Sequence, residues 1–227
     1  MRTTLSLQGQ AIALLLIDLQ EEQRQDPHYK AFGIDQVLGN AARLLEAARA
    51  AKRGVVHAAY RRDFAKSPPR PFEPTASDGQ PTFSDAANPL TAICHEVAPI
   101  KDEPVIYKND DSAFCEGDLA PLLRAQGVDW LIVSGVWTEA CVAATIRDAM
   151  AHGFRVLLVK DACGSGTQAM HKTAVLNLAN RLYGGAVTDT ERAVALLKGD
   201  EADVWVAERP VPILFNFTDA AERYAEL

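Results

Sequence analysis

Uninterrupted apolar runs alternate along this chain with segments whose apolar positions recur every three or four residues, the pattern of repeated β and α units. Residues 11–17, AIALLLI, are the kind of strand that is buried on both faces of a parallel sheet, and they lead directly into Asp18. Over 35–53, Val37, Leu38, Ala41, Leu44, Leu45 and Ala48 share one face of a predicted helix that Gly54 stops. Residues 55–60 predict a second strand and 104–107 a third, closing on Lys108; a helix over about 118–126 then ends at Gly127. Residues 130–133 predict strand four, punctuated by Ser134-Gly135, and a helix over about 140–151 places Cys141 in its first turn. Strand five ends at Cys163, and a helix over 167–182, a short sixth strand over 186–188 and a helix over 189–197 follow. This order predicts a doubly wound, six-stranded parallel sheet with helices on both faces. Its site is expected beyond the carboxyl ends of the strands, at a topological switch point.

Two stretches break the alternation. Residues 61–89 are rich in Pro, Ser, Asp and Gly, with five prolines between Pro68 and Pro81, and a loop of that length is expected at a pocket mouth. Residues 201–227 carry Trp205, Leu214, Phe215 and Phe217, too much apolar surface to leave in water. The expected organisation is one α/β domain over 1–200 and an extension over 201–227 that packs on its own core or on a neighbouring subunit.

Composition narrows the function. The 227 residues, 48% of them hydrophobic, suffice for one large core, and a net charge of −7 argues against nucleic acid or an anionic membrane as partner. Cys94, Cys115, Cys141 and Cys163 are scattered without CxxC spacing, as expected of reduced thiols in a cytoplasmic protein. The 11–17 run is too short to span a bilayer and no small-residue cleavage site follows it. Gly164-Ser165-Gly166 lacks dinucleotide-fingerprint spacing and reads as a turn into a helix.

Three reactive groups stand at strand ends: Asp18, Lys108 and Cys141. A thiol in the first turn of a helix meets unpaired N–H groups and the positive end of the dipole, so Cys141 is expected to ionise at lower pH than a free thiol. The same amides suit an oxyanion, and strand, turn and helix together have the layout of a nucleophile elbow with Cys in place of Ser. Taken singly, each residue has a plainer reading: Cys141 as a small buried thiol, Asp18 as a helix cap or half of a structural ion pair, Lys108 as a surface lysine beside Asp110 and Asp111. Their coincidence at one sheet edge is what points to chemistry.

With LLLIDLQ around Asp18, YKNDDSAF after strand three, and SGVWTEACV followed by GFRVLLVKDAC, the chain resembles the isochorismatase-like cysteine hydrolases over roughly residues 10–198. That family includes nicotinamidases, carbamoylsarcosine amidases, biuret hydrolases and ureidoacrylate amidohydrolases. The resemblance implies a triad in which Asp18 takes the thiol proton, Lys108 orients the carboxylate and Cys141 attacks. It also implies a cis Val136–Trp137 peptide, with the N–H groups of Trp137 and Cys141 aimed at the oxyanion. The reaction implied is hydrolysis of a C–N bond of a small amide, ureide or carbamoyl compound through a thioester, with no metal or other cofactor, by a homodimer or homotetramer.

Departures from the family bear on substrate. The metal-dependent nicotinamidases carry an Asp and two His after the second strand, whereas YRRDFAKSPPRPFE has no histidine, so no metal site is expected and nicotinamide is disfavoured. True isochorismatases generally lack the nucleophilic cysteine. Gln23, Arg61, Phe114 and Trp137 are candidate substrate contacts: Gln23 and Trp137 because they narrow the pocket, Arg61 with Arg62 as a carboxylate partner or a solvated pair. His57, within strand two, reads as a satisfied core residue, and His171 is expected to reach the pocket or a subunit interface. Two other readings stay open: a hydrolase without covalent catalysis, and a non-catalytic binding protein that keeps the fold.

Overall fold

The computed structural model describes residues 1–77, 79–80 and 82–227; Asp78 and Pro81, inside the proline-rich stretch, lie outside the described residues. Along the chain run β1 (Arg2–Leu5), β2 (Ile12–Ile17), α1 (Glu22–Gln25), α2 (Ile34–Ala50), β3 (Gly54–Tyr60), β4 (Val105–Lys108), α3 (Leu119–Ala125) and β5 (Trp130–Val136). A π-helical turn over Thr138–Val142 then leads into α4 (Ala143–Ala151), β6 (Arg155–Gly164), α5 (Gln168–Ala179), β7 (Ala186–Thr188), α6 (Thr190–Lys198), β8 (Ala202–Trp205) and α7 (Ala220–Glu226).

One sheet of order β1-β8-β7-β6-β5-β2-β3-β4 organises all of it. The six strands from β7 to β4 are parallel, as expected. The sheet has eight strands rather than six, because β8 and β1 add to the β7 edge in antiparallel fashion. β1 escaped the sequence reading because it is a short edge strand, RTTL, with one apolar residue, half-buried only at alternate positions and without the apolar run of a central strand.

Alternate residues of the buried strands feed two cores. Leu14 and Leu16 pack with α2 and α6 on one face, while Leu15 and Ile17 pack with α3, α4, α5 and α7 on the other. The chain moves from β2 outward through β3 and β4, then returns to start β5 on the other side of β2, so the switch point lies between β2 and β5.

Residues 201–227 pack on their own chain. Trp205 joins the core, Asn180 exchanges two hydrogen bonds with the Ile213 backbone at 2.8 Å, and α7 lies on α5 with Ala220 and Leu227 buried. Leu214 and Phe217 are not covered by their own chain, being 80% and 100% exposed.

Candidate active site

At the switch point β5 runs close against the end of β2. A Cβ on Gly135, whose φ is +148°, would sit 2.1 Å from the Ile17 carbonyl oxygen, so only glycine lets the strands meet there. Ser134-Gly135 therefore does not end the strand; β5 continues through a register shift to Val136, with Ser134 Oγ donating to Ala162 O at 2.6 Å. The Val136–Trp137 peptide that follows is cis. Cys141 then lies in a π-helical turn ahead of α4, not in a regular α-helical first turn.

Asp18 follows β2 in a left-handed conformation, φ +52°, with its N–H on Ala58 O at 2.9 Å. Lys108, at the end of β4, is fully buried. Its ammonium lies 2.8 Å from Asp18 Oδ2 and 3.3 Å from Cys141 Sγ, donates to Asp110 O at 3.1 Å, and sits 4.1 Å from the Tyr60 ring centroid. The plainer reading of Lys108 as a surface lysine is thus excluded, and the three strand-end residues converge.

Burial pushes the Asp18 carboxyl upward, against the opposing pull of Lys108. For Lys108 burial acts to remove the proton, but its interactions with Asp18 and, after it, Cys141 outweigh this and the ammonium is held above its usual range. The expected low-pH ionisation of Cys141 is corrected: burial pushes its thiol upward and the neighbouring Asp18 adds to the effect, with Lys108 opposing. Desolvation is the largest of these causes.

Asp18 and Cys141 open onto a cavity of about 460 Å³ whose wall includes Tyr29, Tyr60, Arg62, Phe64, Phe83 and Trp137. The 61–89 stretch supplies one side of it, through Arg62, Phe64, Pro69, Glu73, Pro74, Thr82 and Phe83. Gln23 and Trp137 both reach the cavity, and they bind each other: Trp137 Nε1–H donates to Gln23 Oε1 at 2.8 Å. Gly166 makes room for the indole, since a Cβ there would lie 2.8 Å from two of its ring carbons.

Arg61 and Phe114 are not brought to this cavity. Arg61 turns away after β3, stacks over Tyr107 and donates to Ala86 O at 3.2 Å, while Arg62 takes the inward position and pairs with Glu73 at 2.9 Å. Along a strand end consecutive side chains face opposite ways, which decides between the two arginines. Phe114 is core, stacked on His152 and Phe154.

Several contributors were missed in the sequence. Gln20 is buried and spends its amide on Tyr60 N, Tyr60 O and Thr91 O, clamping the end of β3 beside Asp18. Glu22, also buried, accepts from Ser84 N at 3.1 Å and Ser84 Oγ at 2.7 Å and so anchors the far end of the 61–89 stretch. Asp111 lines the cavity with Oδ1 3.9 Å from Cys141 Sγ. Polar residues in α1 and a second aspartate after Lys108 carry no periodic signal that marks them as inward-facing. Among the described residues, no group of three or more His, Cys, Asp and Glu is arranged to hold a metal, and no helix is long and apolar enough to cross a membrane.

Residues 12–192 match the isochorismatase domain model. The chain is 35% identical over 190 residues to a maleamate amidohydrolase of Pseudomonas putida, covering 79% of this chain and 84% of that protein. It is 29% identical over 192 residues to an N-carbamoylsarcosine amidase of Arthrobacter, covering 83% and 72% respectively. A crystal structure of an isochorismatase family protein from Desulfovibrio vulgaris superposes with a TM-score of 0.72 at 27% identity, covering 83% of this chain and 98% of that one. The chain therefore belongs to the isochorismatase family and is a hydrolase, with an amidohydrolase and an amidase among its named relatives.

Proposed function

We propose that this protein is a cysteine amidohydrolase that opens a C–N bond of a small amide, ureide or carbamoyl compound through a thioester on Cys141. The observation that carries the reading is the convergence of Asp18, Lys108 and Cys141, with Lys108 Nζ 2.8 Å from the carboxylate and 3.3 Å from the sulfur, beside a cavity that Asp18 and Cys141 line.

Because the thiol is protonated at rest, the thiolate is made inside the site, by transfer of its proton to Asp18 as the sulfur attacks the carbonyl carbon. Lys108 stays charged throughout and stabilises whichever neighbour is anionic. The oxyanion of the tetrahedral intermediate is held by the backbone N–H groups of Trp137 and Cys141. Collapse breaks the C–N bond, and Asp18 returns the proton to the leaving amine or ammonia. Water then attacks the thioester carbonyl, giving its proton to Asp18, and the departing sulfur takes it back.

The aromatic wall and the volume of about 460 Å³ favour a substrate with a planar or apolar body over the smallest ureides. The resemblance and the exposed Leu214 and Phe217 support assembly as a homodimer or homotetramer, which we place in the cytoplasm. The test is ammonia or amine release from a panel containing maleamate, N-carbamoylsarcosine, biuret and ureidoacrylate, with wild type and Cys141→Ala. Turnover of one compound, lost by at least about 10³-fold in the variant, is expected. A variant that keeps full turnover would exclude covalent catalysis by Cys141.

A further inference from the structure

The family match ends at residue 192, yet α7, beyond it, is linked through His171 of α5 to the turn that carries the nucleophile. Tyr224 Oη lies 3.1 Å from His171 Nε2, and His171 Nδ1 lies 2.8 Å from Thr138 Oγ1. Thr138 is fully buried at the start of the π-helical turn, and its Oγ1–H donates to Gly164 O at 2.8 Å. A hydroxyl has one proton, so with that proton on Gly164 the Thr138 oxygen meets His171 as an acceptor. Nδ1 must then carry the imidazole hydrogen. Burial lowers His171 to about 4, against a hydrogen bond with the Lys160 backbone that favours the charged ring, so at neutral pH the ring has one donor and one acceptor; with the hydrogen on Nδ1, Nε2 accepts from the Tyr224 O–H. The chain of bonds therefore runs one way, from Tyr224 through His171 and Thr138 to Gly164.

Each end of this chain is fastened. The Tyr224 backbone carbonyl accepts from Lys160 Nζ at 3.1 Å, its ring meets His171 edge-on with centroids 5.6 Å apart, and the neighbouring Leu227 is buried. At the other end, Ala140 N and Val142 N both donate to Trp137 O, so movement of Thr138 is transmitted through the turn to Trp137 and Cys141.

We propose that Tyr224 and His171 are positioning residues: through Thr138 they hold the turn so that the amides of Trp137 and Cys141 meet the oxyanion. This rests on the reading of Cys141 as an acyl-forming nucleophile. It gives the C-terminal segment outside the family match a part in the reaction without contact with substrate.

Two probes separate positioning from simple support. p-Nitrophenyl acetate acylates a thiolate through a tetrahedral oxyanion and releases nitrophenolate, whereas iodoacetamide alkylates by displacement at a saturated carbon and forms no oxyanion. Both are followed at Cys141 in the full-length protein, with thermal unfolding in parallel. Tyr224→Phe is expected to slow acylation by about three- to tenfold, the effect of one net hydrogen bond, and to leave alkylation within about twofold of wild type. His171→Asn, whose amide can replace Nδ1–H but loses the Tyr224 bond, is expected to slow acylation about as much as Tyr224→Phe, and adding Tyr224→Phe to it to change nothing further. His171→Gln, whose amide extends toward Tyr224 instead, is expected to be at least as slow as Tyr224→Phe. Acylation by Tyr224→Phe at the wild-type rate would overturn the proposal. So would an equal fall of both reactions with a lowered melting temperature, which would leave the tail with structural support alone. Failure of the underlying reading looks different: wild-type Cys141 would then accept neither reagent, and the positioning role would fall with it.

Discussion

Glu103, in the segment leading into β4, holds together the elements that deliver Lys108. Its carboxylate accepts from Arg49 Nε and Nη2 at 2.8 Å, from buried His57 Nε2 at 3.0 Å and from Ile100 N at 3.1 Å, tying α2 to β3. Burial alone would raise this carboxyl, but the hydrogen bonds from Arg49, His57 and Ile100 outweigh it and draw it from 4.5 down to about 2. A carboxyl lowered on folding contributes stability that is fully present above the unfolded value and is lost as pH falls through the folded one. Without screening the shift would correspond to about 3 kcal/mol at neutral pH, and solvent access to this half-buried group reduces that to about 2 kcal/mol. Glu103→Gln keeps the shape and one acceptor but removes the charge. At pH 7 the variant is expected to unfold in urea with about 2 kcal/mol less stability and to melt about 4–8 °C lower. By pH 3 the gap should shrink to less than half, because Glu103 of the unfolded chain is by then protonated while the folded protein keeps it ionised. A gap absent at pH 7, or unchanged between pH 7 and pH 3, would refute the assignment.

Three further outcomes are expected. Lys108→Met strands a buried carboxylate and removes the cation beside the sulfur, so turnover should fall by about 10³-fold or more and Cys141 alkylation by iodoacetamide should slow; an unchanged alkylation rate would count against its role. Because burial raises Asp18 and the base must be unprotonated, kcat/KM should fall as pH drops through a value above the ordinary 3.8 of an aspartate, and a pH–rate profile flat down to that value would contradict the general-base assignment. Gly135→Ala forces a Cβ to 2.1 Å from a backbone oxygen in a conformation that side chains rarely adopt, so a loss of about 3 kcal/mol or more is expected by urea unfolding, and a near-native midpoint would show that β2 and β5 can separate.

Much of the fold was legible because strands buried on both faces leave continuous apolar runs, and helices covering them leave a 3.6-residue period. AIALLLI and DWLIV announced the central strands, and the α2 stripe from Val37 to Ala48 is buried as its spacing predicts. β1 was not legible, since three of its four residues are polar and it faces water on one side. At the site, Asp18, Lys108 and Cys141 could be named because each ends or follows a readable strand. Arg61 and Arg62 could not be told apart, because which of two adjacent side chains faces the cavity depends on where the strand ends, and one residue of difference reverses the answer.

Sequence alone thus pointed to the alternation of elements, the parallel core of the sheet and the three strand-end residues that converge, all consequences of local periodicity and of motifs contiguous in the chain. Tertiary structure decided the rest: that Lys108 is buried between carboxylate and thiol, that burial raises Cys141 instead of lowering it, and that His171 links Tyr224 to Thr138. Those are properties of desolvation and of contacts between residues dozens of positions apart, and they come into being only when the sheet brings its strand ends to one edge.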